Sequence, residues 1–399
     1  MTETIHRLLR TASLLLVVAL VLGQGYRAFT FQRADLPEGR SAQLRSLDYR
    51  WIYFAGKCWV EGVSPHNYEN FKRVWQKDMG YIPDMPMAYP PTLAVLSVPI
   101  ALFPWDIAFR IYDTLNLLAL VFSLYFLHKI LGQFAVEETR RWIALSVAAT
   151  MGSITGVLYT GQTTLFVLCG ITAAIYYVMN GRLWSAASWI ILATVKPHLG
   201  LLPMAILLLY RPALLWRGMV TCGLVSAMTV AYTWESGLVA SFFESLRLHT
   251  QTPFNQMEYL SITEQLLAKH DLRWLRPFSS IVALAACWSV WTRFGRLTAF
   301  VLTVPFLATV VFMPLHSYDS VVLMVPLALI AGTGLFSWTS LPLLIILSRP
   351  RAAMNLLGMP LTEQLELGFV GATAVVTWVW MEWRLRRTNT RVYEKPASD

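Results

Sequence analysis

The sequence predicts an all-α, polytopic integral membrane protein. Of 399 residues, 56% are apolar and only 14% are charged, against roughly 25% charged in an ordinary soluble domain. Long apolar runs recur at 14–26, 142–158, 163–178, 219–232, 281–291, 297–313, 321–336 and 368–381. Each approaches or reaches the length that crosses a bilayer core, so about 11 to 13 transmembrane helices are expected. A soluble globular protein is excluded.

Taken in order, the chain starts with His6, Arg7 and Arg10 ahead of the first apolar run. No small-x-small cleavage site follows, so a retained first helix is expected. The first outer loop, 32–87, carries eight Lys or Arg and seven Asp or Glu. Within it Tyr49, Ile52, Tyr53, Cys58 and Trp59, then Phe71, Val74 and Trp75, recur near helical spacing. That pattern predicts short amphipathic helices lying at the membrane interface. Residues 88–129 hold one or two crossings, with Phe103-Pro104-Trp105-Asp106 as the turn in the second case. The stretch 337–367 leaves the same choice open.

Short basic connections at 129–141, Arg182, 211–217 and 293–296, and the basic tail 384–399 (Arg384, Arg386, Arg387, Arg391, Lys395), are placed in the cytoplasm by the positive-inside rule. The first outer loop and a second one, 235–276, then share the opposite face and hold 12 of the 23 acidic residues. The chain reads as a single transmembrane domain, 1–399. Cys58, Cys169, Cys222 and Cys287 lie far apart, which suggests neither a disulfide framework nor a thiolate metal site.

Polar residues in this setting are the candidates for chemistry. Asp48, just upstream of the aromatic run, is placed to act as a general base on an acceptor hydroxyl, or is one of seven solvated loop acids. Lys196 interrupts an apolar stretch before the helix-breaking Pro197. An intramembrane ammonium costs roughly 2.5–3.5 kcal/mol, so it needs an anionic partner, unless it snorkels to the interface. His198 reads as a structural polar contact. In Pro314-Leu315-His316-Ser317-Tyr318-Asp319, His316 and Tyr318 are able to donate to phosphate oxygens, with Asp319 orienting His316; an interfacial Tyr with a His cap is the plainer alternative. Gly161-Gln162 and Tyr89-Pro90-Pro91 resemble ordinary turn and helix-start signals. Asp113 and Asn116 sit at helical spacing from Arg110 and are expected to pair with it. No HExxH, GxSxG, Walker A or Rossmann pattern occurs, which disfavours a soluble-nucleotide enzyme.

The order of these signals resembles glycosyltransferase family 87: Asp48 in the first outer loop, Gly62 to Tyr68 (GVSPHNY), Tyr89-Pro90-Pro91, Gly161-Gln162-Thr163, Lys196-Pro197 and His316-Ser317-Tyr318, over residues 48–320. The resemblance implies an integral membrane enzyme of the GT-C superfamily, moving a hexose, mannose above others, from a polyprenyl-phosphate sugar to a lipid-linked or glycan acceptor with inversion. It implies Asp48 as general base and Lys196, His316 and Tyr318 at the donor phosphate. Tyr89, Gln162, His198 and Tyr68 would line the substrate site. No metal or other cofactor is implied, and no DxD occurs in the first outer loop. Expected partners are the donor, the acceptor and membrane lipids, not nucleic acid. The expected location is the inner (cytoplasmic) membrane, multi-pass, with the active site facing the periplasm. The family's Gly-x-x-Pro-Tyr is interrupted here by His66 and Asn67. The rival readings are a lipid or glycolipid flippase that breaks no bond, and a non-catalytic assembly subunit.

Overall fold

The computed structural model describes residues 3–30, 47–81, 83, 85–233, 238–251, 261–270, 272–333, 335, 340–360 and 362–388. Residues 32–46 of the first outer loop, 252–260 of the second, and Arg391 and Lys395 of the tail therefore lie outside the described residues. Among the described residues every regular element is helical.

Helix α1 (Glu3–Thr30) is followed by two short helices, α2 (Leu47–Val60) and α3 (Tyr68–Met79), then α4 (Ala94–Ala101) and the long α5 (Trp105–Gln133). Next come α6 (Glu138–Ala149), α7 (Ser153–Thr160), α8 (Thr164–Met179), α9 (Leu183–Thr194), α10 (Pro197–Tyr210) and α11 (Ala213–Thr233). After α12 (Leu238–Gln251) and α13 (Ile262–Lys269) the chain continues through α14 (Arg276–Phe294), α15 (Ala299–Phe312), a 3-10 turn at Ser317–Leu323 and α16 (Met324–Gly332). It ends in α17 (Leu341–Ser348), α18 (Pro350–Leu356) and α19 (Glu363–Thr388).

Among the described residues four helices are long and apolar enough to cross a membrane: Glu3–Ala28, Trp105–Gln133, Ala213–Thr233 and Leu365–Arg384; α6 and α7, bent by 60° at their junction, make a fifth when counted as one broken span. Shorter apolar helices of 10–17 residues, α8, α9, α10 and α15 among them, fill the space between. A 14-residue helix rises only about 21 Å, less than the bilayer core, so it depends on its neighbours to cover its ends. The apolar pattern reports this division. Helices α8 and α15 are apolar all round and almost wholly buried, whereas α1 and α11 keep most of their surface outward, as lipid-facing helices do. The chain is a multi-pass helical membrane protein.

The 88–129 ambiguity resolves into the short α4 and the 29-residue α5, broken at Leu102–Pro104. Pro104 stands at the cap position, where its missing N–H costs nothing. Helices α2 and α3 form as expected, but their apolar stripe packs on protein: Tyr49, Ile52, Cys58, Trp59, Phe71 and Trp75 are buried. Tyr49 sits among Trp105, Phe109 and Tyr112 of α5, with ring centroids 4.7–5.4 Å apart, and Trp51 stacks on Phe71 at 5.4 Å. Helix α2 lies so close to α4 that a methyl on Gly56 would collide with the Ser97 carbonyl oxygen. This aromatic wedge anchors α2 and α3 against α5 and fixes where Asp48 points.

The bend between α6 and α7 frees backbone carbonyls that lipid cannot satisfy. Buried Gln24 of α1 donates to the carbonyls of Ala149 and Met151 at 3.4 and 3.0 Å. Its amide oxygen accepts from Thr155.

Candidate active site

The site is assembled on the turn joining α7 to α8. The N–H groups of Gly161 and Gln162 both bond the Val157 carbonyl at 3.0 Å, closing α7 with Gly161 at φ 71°. That left-handed backbone favours glycine. Space demands it as well, since a methyl there would lie 2.7 Å from the Tyr49 Cβ. Tyr49 is thereby pressed against the turn, and the adjacent Asp48 meets its side chains.

Gln162, almost fully buried, is the hub. Its Oε1 accepts from the Tyr89 hydroxyl at 3.2 Å and from Lys196 Nζ at 3.1 Å. Its Nε2 donates to the Tyr318 hydroxyl at 2.9 Å, and the side chain also hydrogen-bonds Asp48. Lys196 has only donors and an ionised carboxylate only acceptors, so their positions fix the orientation of the amide between them. Asn116 donates to the Gln162 backbone carbonyl at 3.0 Å. The expected Asn116–Arg110 pairing is thus replaced by a contact across helices, because Asn116 lies on the buried face of α5 whereas Arg110 is exposed.

The anionic partner that Lys196 requires is Asp319. Nζ lies 2.6 Å from Asp319 Oδ1 in a pair that is almost fully buried. Thr164 bonds the same oxygen at 2.7 Å and accepts from Lys196 at 3.4 Å. The second carboxylate oxygen accepts from the His316 backbone N–H at 3.2 Å, and His198 Nε2 stands 4.0 Å away. Asp319 therefore orients His316 through its backbone. The His316 ring stacks on Tyr318, centroids 5.1 Å apart, and the Lys196 ammonium lies 5.0 Å from the Tyr318 ring centre, within cation–π range.

Asp48 joins this cluster from the first turn of α2, hydrogen-bonded to the side chains of Gln162 and Thr160 and within electrostatic reach of Lys196 and Asp319. Removal from water pushes its carboxyl up from 3.8 to about 6, the nearby Lys196 charge pulling the other way. Such a group is ionised at neutral pH yet basic enough to accept a proton. Among the described residues, no group of three or more His, Cys, Asp or Glu is arranged to hold a metal ion.

The structure therefore brings Asp48, Tyr89, Gln162, Lys196, His198, His316 and Tyr318 together. Tyr68 sits apart at the start of α3, its hydroxyl donating to the Pro83 carbonyl at 2.9 Å and its ring covered by Lys72 at 4.4 Å. The two residues that interrupt Gly-x-x-Pro-Tyr both have structural work. His66, buried, bonds the Tyr89 carbonyl at 2.8 Å through Nε2 and so holds the residue that reaches Gln162. Asn67 caps α3 through Glu69 N and Asn70 N. Thr160, Thr164, Asn116 and His66 were not legible as site residues; each is a polar group inside an apolar setting, the one signal that such a residue must be hydrogen-bonded.

Neither the curated proteins nor the solved structures include a match to this chain. The family model described as glycosyltransferase family 87 matches residues 88–317, a segment that includes Tyr89, Gln162, Lys196, His198 and His316 and stops short of Tyr318. Asp48 and Asp319 also lie outside that segment, but with more than half its length matched the chain belongs to glycosyltransferase family 87 and is a membrane glycosyltransferase.

Proposed function

We propose that the protein transfers a hexose, mannose in the first instance, from a polyprenyl-phosphate donor to a lipid-linked or glycan acceptor, at the outer face of the cytoplasmic membrane. Asp48 removes the proton of the acceptor hydroxyl as that oxygen attacks the anomeric carbon. The lipid phosphate leaves from the opposite side, so the anomeric configuration inverts. Lys196, His316 and Tyr318 hold the departing phosphate. The long 3.4 Å contact from Lys196 to Thr164 is the one a phosphate oxygen displaces most cheaply. Developing charge on the leaving oxygen is then met by donors already in place, which is where electrostatic catalysis is strongest. Tyr89, Gln162 and His198 line the sugar, and Tyr68 lies further out along the acceptor's approach.

The observation that carries this reading is the convergence of Asp48 from the outer loop with Gln162 and Lys196 from the middle of the chain. A base and a cation either side of one amide are the parts that displacement at a phosphorylated carbon needs. The test uses purified protein in lipid, a labelled polyprenyl-phosphate hexose and a panel of glycolipid acceptors. Release of polyprenyl phosphate that depends on acceptor, and its loss in both Asp48→Asn and Asp48→Ala, is the expected result. Full turnover by both variants removes the mechanism, and movement of intact donor across the bilayer without cleavage replaces it with the flippase.

A further inference from the structure

Two arginines the transferase reading does not use converge on the bend between α6 and α7. Arg27 follows Gln24 by three residues on α1, one turn beyond the side chain that stitches the bend. Arg349 stands at the break between α17 and α18 and reaches the bend from the other side: a methyl on Gly152 would lie 3.9 Å from one of its guanidinium nitrogens. The Gly152 N–H also bonds the Ser348 carbonyl at 3.1 Å, tying the two breaks together. The Arg27 and Arg349 charges are close enough to repel each other. Yet the ion pairs among the described residues include none made by either, whereas nearby Arg351 is paired with Glu366 at 2.7 Å. Ser153, the first residue of α7, has a buried hydroxyl oxygen with no hydrogen-bond partner.

A like-charged pair left uncompensated, partly inside a membrane protein, is costly unless an anion joins it. Here Arg349 beside Gly152, Arg27 one turn beyond Gln24, the unpaired Ser153 hydroxyl and the opening turn of α7, with its positive end, border the same bend. We infer that Arg27, Arg349 and Ser153 form a binding site for the phosphate of a membrane lipid, separate from the cluster at Lys196. Arg27 lies on the outward surface of α1, in the last turn of a helix that faces lipid, so the ligand enters with its tail still in the bilayer. It arrives on the same side of the membrane as Asp48, since α1 leads directly into the outer loop. The two sites occupy opposite ends of α7, about 12 Å apart for eight residues, with Gly156 between them against Tyr318. The inference does not rest on sugar transfer.

The test measures lipid retention by the full-length protein in mild detergent, by native mass spectrometry. The probes are undecaprenyl phosphate, phosphatidylglycerol, undecaprenol and inorganic phosphate. Wild type is expected to retain either phosphate lipid and not undecaprenol. Arg27→Gln/Arg349→Gln should weaken retention roughly tenfold for each guanidinium lost, while Arg351→Gln should not. Arg27→Lys/Arg349→Lys, which keeps both charges, should recover part of the binding and so separates a lost site from a misfolded one. Preference for undecaprenyl phosphate marks the ligand as a prenyl lipid; equal retention of phosphatidylglycerol marks it as a bilayer phospholipid; competition by millimolar inorganic phosphate shows that the phosphate is what is read. Equal retention of undecaprenol, or a double Gln variant that loses neither phosphatidylglycerol nor the second copy of undecaprenyl phosphate beyond the one held at Lys196, overturns the inference, and neither result depends on whether Asp48 supports turnover.

Discussion

At the scale of single residues the proposed mechanism divides the cluster into groups that react and groups that hold them. Asp48 is the only carboxylate of the pair not neutralised by a direct ion pair, because Asp319 takes Lys196. Asp48→Asn keeps the shape and removes the base, and transfer should fall by at least about a thousandfold, measured as initial rate at saturating donor. With the carboxyl raised to about 6, the active ionised form is lost as pH falls through that value. A rate profile should therefore bend down on its acid side near pH 6, well above the range of a solvated aspartate; a limb below pH 5 would show that Asp48 is not the titrating base. Lys196 and Asp319 answer to a different readout. Lys196→Met leaves a buried carboxylate unpaired, which costs about 3–5 kcal/mol, so the melting temperature should drop sharply. Lys196→Met with Asp319→Asn removes the uncompensated charge and should regain much of that stability without regaining transfer.

Elements place those residues, and the decisive one is the turn that ends α7. Gly161→Ala would impose a left-handed backbone on alanine, roughly 1–2 kcal/mol, and would drive a methyl into Tyr49 at 2.7 Å. Helix α2 must then retreat, taking Asp48 from Gln162 and Thr160. Activity is expected to fall by about a hundredfold or more while Gly181→Ala, at a left-handed position with nothing near its added methyl, leaves turnover close to wild type; the comparison of the two rates separates the close approach from backbone strain alone. This element also shows what the sequence could reveal. Gly161-Gln162 reads as an ordinary turn, and it is one; that Gln162 bonds four side chains depends on helices from distant parts of the chain. Lys196 announced its need for an anion through its cost in an apolar run, but Asp319 as that anion is a fact of packing. Asn116 shows the limit most plainly, since helical spacing offered Arg110 and the tertiary face offered Gln162. The amphipathic period of α2 and α3 was legible; that protein rather than lipid covers their apolar stripe was not, because periodicity reports that a face is buried and not by what.

At the scale of the whole molecule, the long lipid-facing spans and the short buried helices divide the work. Helices such as α8 and α15 are too short to cross alone, and the 3-10 turn and bends at their ends bring polar backbone and side chains together where continuous spans would keep them apart. Distribution of charge is the argument for which way that cluster faces. The proposed orientation puts the short basic connections inside and Asp48 outside, and labelling tests it directly. Of the natural cysteines, Cys58, Cys169 and Cys287 are buried and Cys222 is partly so, so the background should be low. Tyr81→Cys, exposed beside α3, should react with a membrane-impermeant maleimide on intact cells, and Arg182→Cys, exposed in the α8–α9 connection, should react only after the cells are opened. The reverse pattern would turn the active site to the cytoplasm, where the sugar would have to be delivered on that leaflet, and would overturn the outer-face assignment while leaving the chemistry of the Asp48 cluster intact.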